Sequence, residues 1–171
     1  MGGGFKTAGC ALALFWSVGS SAADACGTFT WDVKHERALF AMQPHALPAG
    51  RAPGSAPHLR AAELYELMLA PDAQVTFVVA PGRKTPKPDS HAGLARIEIR
   101  KAGMYRVSVD QPAWVDIVAD GKAIGSKDFQ GKRGCTAPHK VVEFVLPESR
   151  NLVLQLSNAN ESARVTLTPA P

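Results

Sequence analysis

Residues 102–122 read AGMYRVSVDQPAWVDIVADGK. Tyr105, Val107 and Val109 alternate with Arg106, Ser108 and Asp110. After Gln111-Pro112, the residues Val115, Ile117 and Ala119 alternate with Trp114, Asp116 and Val118. A period of two is that of a strand buried on one face only. Gly103 and Pro112 mark turns, and Asp120-Gly121 is a two-residue hairpin signal. These 21 residues thus contain two short antiparallel strands and the start of a third.

The same signature recurs outward from this stretch. Phe29, Trp31 and Val33 alternate with Thr28, Thr30 and Asp32. Val75, Phe77 and Val79 alternate, as do Ile97 and Ile99, then Val142, Phe144 and Leu146, then Leu152, Leu154 and Leu156, then Val165 and Leu167. Residues 61–70, AAELYELMLA, fit both periods. Ala and Glu favour a helix there; the β surroundings favour a strand over 64–69, which is the expectation adopted. Residues 44–58 are rich in Pro and Gly and read as an exposed loop, and 125–139 as a Gly-containing loop carrying Cys135. The fold class expected is all-β: an antiparallel, jelly-roll-like β-sandwich of about eight or nine strands.

The segment 102–122 resembles a phrase of accessory β-sandwich modules in exported bacterial proteins: A-G-x-Y-x-V-x-V, a strand, then D-G-K. Carbohydrate-binding sandwiches, PA14-like domains and pre-peptidase C-terminal domains carry versions of it. The whole chain is also similar to small exported alphaproteobacterial proteins of unknown role. The resemblance implies a sandwich fold; its residues serve turns and core, and it transfers no ligand site.

Residues 1–9 carry Lys6 and no acid, residues 10–18 (CALALFWSV) are nearly all apolar, and GSSAADA follows. That is the order of a secretory signal peptide, and the apolar run is too short for a membrane span. Cleavage after Ala23 or after Ala25 satisfies the small-residue rule. Residues 1–23 are taken as the signal and 24–171 as one domain, periplasmic or secreted. Ala23-Asp24-Ala25-Cys26 lacks the Leu three residues before Cys that a lipid anchor uses.

Of three cysteines, Cys10 leaves with the signal. Cys26 and Cys135 remain as an even pair in an oxidising compartment, so a disulfide is expected, with two separate thiols as the alternative. No C-x-x-C is present for thiol chemistry.

Chemistry is sparse. There is no G-x-S-x-G. Gly82-Arg83-Lys84-Thr85 lacks the glycine of a phosphate loop. None of the five histidines (His35, His45, His58, His91, His139) stands at a metal-ligand spacing, so neither metal nor cofactor is expected. Asp110, Asp116 and Asp120 are the best carboxylates for a glycosidase pair, though carboxylates beside turns usually serve the turns. Lys+Arg 19 against Asp+Glu 15 gives only +4, which makes nucleic acid a poor partner. Arg83, Lys84, Lys87, Lys127, Lys132 and Arg133 suit an anionic envelope polymer better.

If Val115 and Ile117 face inward, Trp114 and Asp116 face outward, beside Arg106, Ser108 and Asp110 on the preceding strand. An aromatic ring among charged groups on one sheet face is a sugar platform. The function expected is an exported, non-enzymatic sandwich that binds an envelope or extracellular partner, glycan or protein. A structural envelope protein without a small ligand is the alternative. A small hydrolase or a metal-dependent oxygenase is the remote one.

Overall fold

The computed structural model describes residues 1–2, 26, 29–83 and 85–171. Residues 3–25, which hold most of the expected signal and the Ala23 cleavage site, residues 27–28 and Lys84 lie outside the described residues. The chain forms two sheets packed face to face. One (sheet A) is ordered β1 (His45–Pro48), β3 (Leu64–Met68), β12 (Ser162–Pro169), β6 (Gly103–Val109), β10 (Lys140–Leu146), β9 (Ser126–Gly131). The other (sheet B) is ordered β2 (His58–Leu59), β5 (His91–Ile99), β11 (Ser149–Ala159), β7 (Trp114–Ala119), β8 (Lys122–Ile124), with β4 (Ala70–Pro71) also on β5. All pairings are antiparallel except β1 with β3 and β2 with β5. The sandwich is therefore as expected, with twelve strands, several of two to four residues.

The alternation falls on one core. Tyr65, Leu67, Val107, Val142, Phe144 and Val165 from sheet A meet Ile97, Ile99, Val115, Ile117, Leu152, Leu154 and Leu156 from sheet B, all buried. The ambiguous 61–70 stretch is β3, because Tyr65 and Leu67 fill this core. The Asp120-Gly121 turn joins β7 to β8 with both residues at positive φ (48° and 72°), the primed geometry that matches strand twist.

Four expectations are corrected: residues 125–139, expected as a loop, open with the six-residue strand β9, and three further stretches differ. Residues 29–33 are not a strand. They lead into a seven-residue helix, α1 (Lys34–Phe40), which lies over the outer face of sheet A and buries Glu36, Leu39 and Phe40. Phe29, Val33 and Trp31 form a second small apolar cluster there with Val141. Residues 75–79 are not a strand either. Val75 N–H donates to Asp72 O (3.1 Å) and Thr76 N–H to Arg51 O (2.7 Å); the Gln155 side chain takes the next residues, its Oε1 accepting from the Val78 and Val79 N–H (2.8 and 3.4 Å) and its amide donating to Val79 O (3.2 Å). The 44–58 stretch, expected as a loop, contains β1. It then folds back so that Gly50 exchanges two backbone bonds with Leu94 (2.8 and 2.9 Å).

That return brings Ala49 onto Gly93: a Cβ there would lie 2.4 Å from Ala49 Cβ and 2.8 Å from Leu69 Cδ2. Gly93→Ala should destabilise by about 1–3 kcal/mol through overpacking. Chemical denaturation measures this, and an unchanged midpoint would mean the 49–50 crossing is loosely held.

The cysteines are bonded, Cys26 to Cys135, 109 residues apart. Cys135 lies in the connection between β9 and β10, so the bridge pins the chain leading to α1 onto sheet A.

A candidate binding edge

Trp114 and Asp116 project from the outer side of β7. β8 pairs only with Ile117–Ala119, which leaves the first half of β7 as an open edge. There the Trp114 indole N–H donates to Asp116 Oδ1 (2.9 Å), and Asp116 Oδ2 accepts the Gly82 N–H (3.2 Å). The carboxylate thus fixes the orientation of the ring and ties down the 75–90 segment beside it. The loop covers one edge of the indole, where Gly82 lies against Nε1 and Cζ2, and the residue stays 37% exposed.

After β8 the chain passes through Gly125 into sheet A, where β9 forms the edge. Phe129 stands opposite Val142, on the inward-facing side of the sheet. Past the last strand of sheet B there is nothing for it to pack on, so it is 62% exposed. Lys140, at the start of β10, reaches the same place. Its ammonium donates to Ala113 O (3.1 Å) and sits 5.4 Å from the Trp114 ring and 5.4 Å from the Phe129 ring. Both contacts have cation–π geometry. Burial lowers the Lys140 pKa below the ordinary lysine value, and the Asp116 charge works against that fall.

The five-residue platform expected from sequence is not one face. β6 and β7 belong to different sheets, and the turn at Gln111-Pro112 carries the chain across the sandwich. Trp114 and Asp116 stay together, whereas Arg106, Ser108 and Asp110 stand on the opposite side of the molecule. Arg106 and Ser108 are buried beneath the 29–40 segment. Asp110 accepts the Arg164 backbone N–H and Nε–H, both at 3.0 Å. The three aspartates proposed for hydrolysis are likewise dispersed: Asp120 is in the hairpin turn, at the other end of β7 from Trp114. Among the described residues no group of three His, Cys, Asp or Glu is placed to hold a metal.

Phe129 and Lys140 escaped sequence reading. Lys140 immediately precedes the alternating run that ends at Leu146, and its register with Val142 placed it on the inward face. Nothing in the sequence said that this face was uncovered there.

The basic residues are also redistributed. Arg83 is bonded to Asp72 and to Asn158 Oδ1 (2.9 Å), over Phe77, and so leaves the surface set. Lys127 lies on β9, and Lys132 and Arg133 just beyond its Lys140 end, whereas Lys122 starts β8 opposite Ala119.

A cleft of about 530 Å³ opens at another part of the sandwich, floored by Leu59, Tyr105 and Pro169. Its charges neutralise one another: Arg60 with Glu63 (3.9 Å) and Arg100 with Glu98 (3.5 Å). The neighbouring Tyr65 hydroxyl donates to Glu63 Oε2 (2.5 Å). Burial, then that bond, raises its pKa, which keeps the phenol protonated. No described helix is long and apolar enough to cross a membrane.

No family model, no curated protein and no solved structure matches this chain.

Proposed function

We propose that this protein is an exported, non-enzymatic β-sandwich that binds an envelope or extracellular glycan, and that the Trp114–Phe129 edge is its recognition surface. The observation that carries the reading is an indole held in one orientation by Asp116 and left partly open to solvent, with a second exposed aromatic ring across a shared lysine. Large aromatics are usually buried. Two at one edge, one of them fixed by a hydrogen bond, suit the apolar face of a pyranose ring. The disulfide and the apolar run near the start of the sequence support export.

Trp114→Ala should weaken retention on immobilised glycans by about tenfold or more, equivalent to about 1.4 kcal/mol. The melting temperature should stay close to that of the wild type, because the ring is not part of the core. In a Trp31→Phe background, iodide should quench the Trp114 emission. An indole that iodide does not reach, or glycan retention that survives the loss of Trp114, would sink the reading. A protein that instead attaches to the envelope through a partner chain would show no glycan retention and a stable cross-linked complex.

A further inference from the structure

The geometry points to a carboxylated sugar, a uronate unit of an acidic polysaccharide, as the ligand of this edge, with its carboxylate on the Lys140 ammonium. This rests on the glycan reading above and names the class of glycan.

Lys140 has three N–H donors, and one is used, on Ala113 O. Among the described residues it forms no ion pair within 4.0 Å. Asp116 is near enough to act on it, but both carboxylate oxygens already accept hydrogen bonds, from Trp114 and Gly82. The ammonium is thus partly withdrawn from water, bracketed by two aromatic rings and left with spare donors.

A neutral pyranose laid on these rings would cover the charge further and give it no counter-charge, which is unfavourable. A ring bearing a carboxylate supplies both the apolar face and a charge-assisted acceptor. The flank agrees. Lys122, Lys127 and Arg133 are exposed along the β8–β9 edge. None of them, nor Lys132, forms an ion pair among the described residues. Asp120 and Asp128 oppose them, but Asp128 is turned onto the Phe129 N–H (2.8 Å). Repeating acid groups on a polymer would meet this row, whereas an isolated sugar acid would meet Lys140 alone.

The test uses the full mature chain in affinity electrophoresis and titration calorimetry. The probes are polygalacturonate, alginate, fully methyl-esterified polygalacturonate and inorganic polyphosphate. The methyl ester keeps the ring and removes the charge without any change to the protein. Expected is binding to polygalacturonate or alginate that is at least tenfold tighter than to the methyl ester and that weakens with added salt. Lys140→Met should lose at least tenfold on the acidic polymer while Lys140→Arg retains most of it, with circular dichroism melts confirming that both variants fold. Equal binding of acid and ester, or no effect of Lys140→Met, overturns the uronate assignment and leaves the glycan reading standing. Tight polyphosphate binding indifferent to Trp114→Ala would show a plain charge surface and overturn the assignment. Absence of binding to every glycan, with Trp114 reachable by iodide, overturns both.

Discussion

Arg106→Met is expected to cost about 3–5 kcal/mol of folding free energy, because it strands two buried carboxylates. Arg106 projects from the outer face of sheet A beneath the 29–40 segment. Its Nε donates to Glu143 Oε1 (2.9 Å) on β10, and its Nη1 donates to Asp32 O (2.7 Å) and lies 3.7 Å from Glu36 Oε1. The guanidinium also packs on Trp31, 5.0 Å from the ring centroid. Glu36 is held in addition by the Thr168 hydroxyl of β12 (2.9 Å). One cation therefore links two strands of the sheet to the segment that covers them. All three charged side chains are buried, at 6%, 2% and 10% exposure, so water cannot replace a lost partner.

For a domain of this size the loss corresponds to a fall in melting temperature of roughly 10 °C. Glu143→Gln should cost less, since Arg106 then keeps Glu36, and Arg106→Lys should fall between, keeping the charge but losing the planar fork. Urea denaturation of the three variants measures the order. Arg106→Met within 1 kcal/mol of the wild type would mean that the carboxylates find other partners and that the network is not what holds the segment.

Removing the disulfide should be of similar size. Cys26–Cys135 closes a loop spanning 109 residues. In the chain-entropy model a closure of that length is worth about 4–5 kcal/mol. The Cys26→Ser/Cys135→Ser variant, or wild type in reductant, should show a correspondingly lower denaturation midpoint. An unchanged midpoint on complete reduction would show that the unfolded chain gains little freedom.

The bridge and Arg106 hold the same segment. Arg37 adds a third tie, its Nη2 donating to Cys26 O (2.5 Å). The effects should therefore not add. Once either tie is lost and the 26–40 segment lifts, the other tie has less left to hold, so the combined variant should lose less than the sum. Proteolysis near residues 30–40, ahead of global unfolding, would report that lifting directly.

The contrast between these two regions explains how much was legible. Period-two alternation at Tyr105–Val109, Val115–Ala119, Val142–Leu146 and Leu152–Leu156 reflects a local steric fact: successive side chains of a strand point to opposite faces. It therefore gave both the sandwich and the inward residues. The Asp120-Gly121 turn was readable because φ above zero is favourable for few residues. The cysteine pair was readable because reading residues 1–23 as a signal sets Cys10 aside and leaves Cys26 and Cys135 as an even pair. Where alternation misled, at Phe29–Val33 and Val75–Val79, the apolar residues lie against the outside of a sheet: Phe29 and Val33 are buried, and Trp31, Val75, Phe77 and Val79 are half-buried. Burial there is supplied by side chains such as Val141 and Gln155 from distant parts of the chain.

What the sequence determined by itself is which face of each strand is apolar and where the chain turns, and, with residues 1–23 read as a signal, which two cysteines pair. What only the tertiary structure decided is which strands are neighbours. Alternation is identical whether Gln111-Pro112 makes a hairpin within one sheet or a crossing between two, so it could not say that Arg106 and Trp114 would be on opposite sides. Nor could it bring Lys140 and Phe129 to Trp114. That meeting depends on sheet B ending one short strand after β7, which leaves inward-facing side chains of β9 and β10 with nothing opposite them.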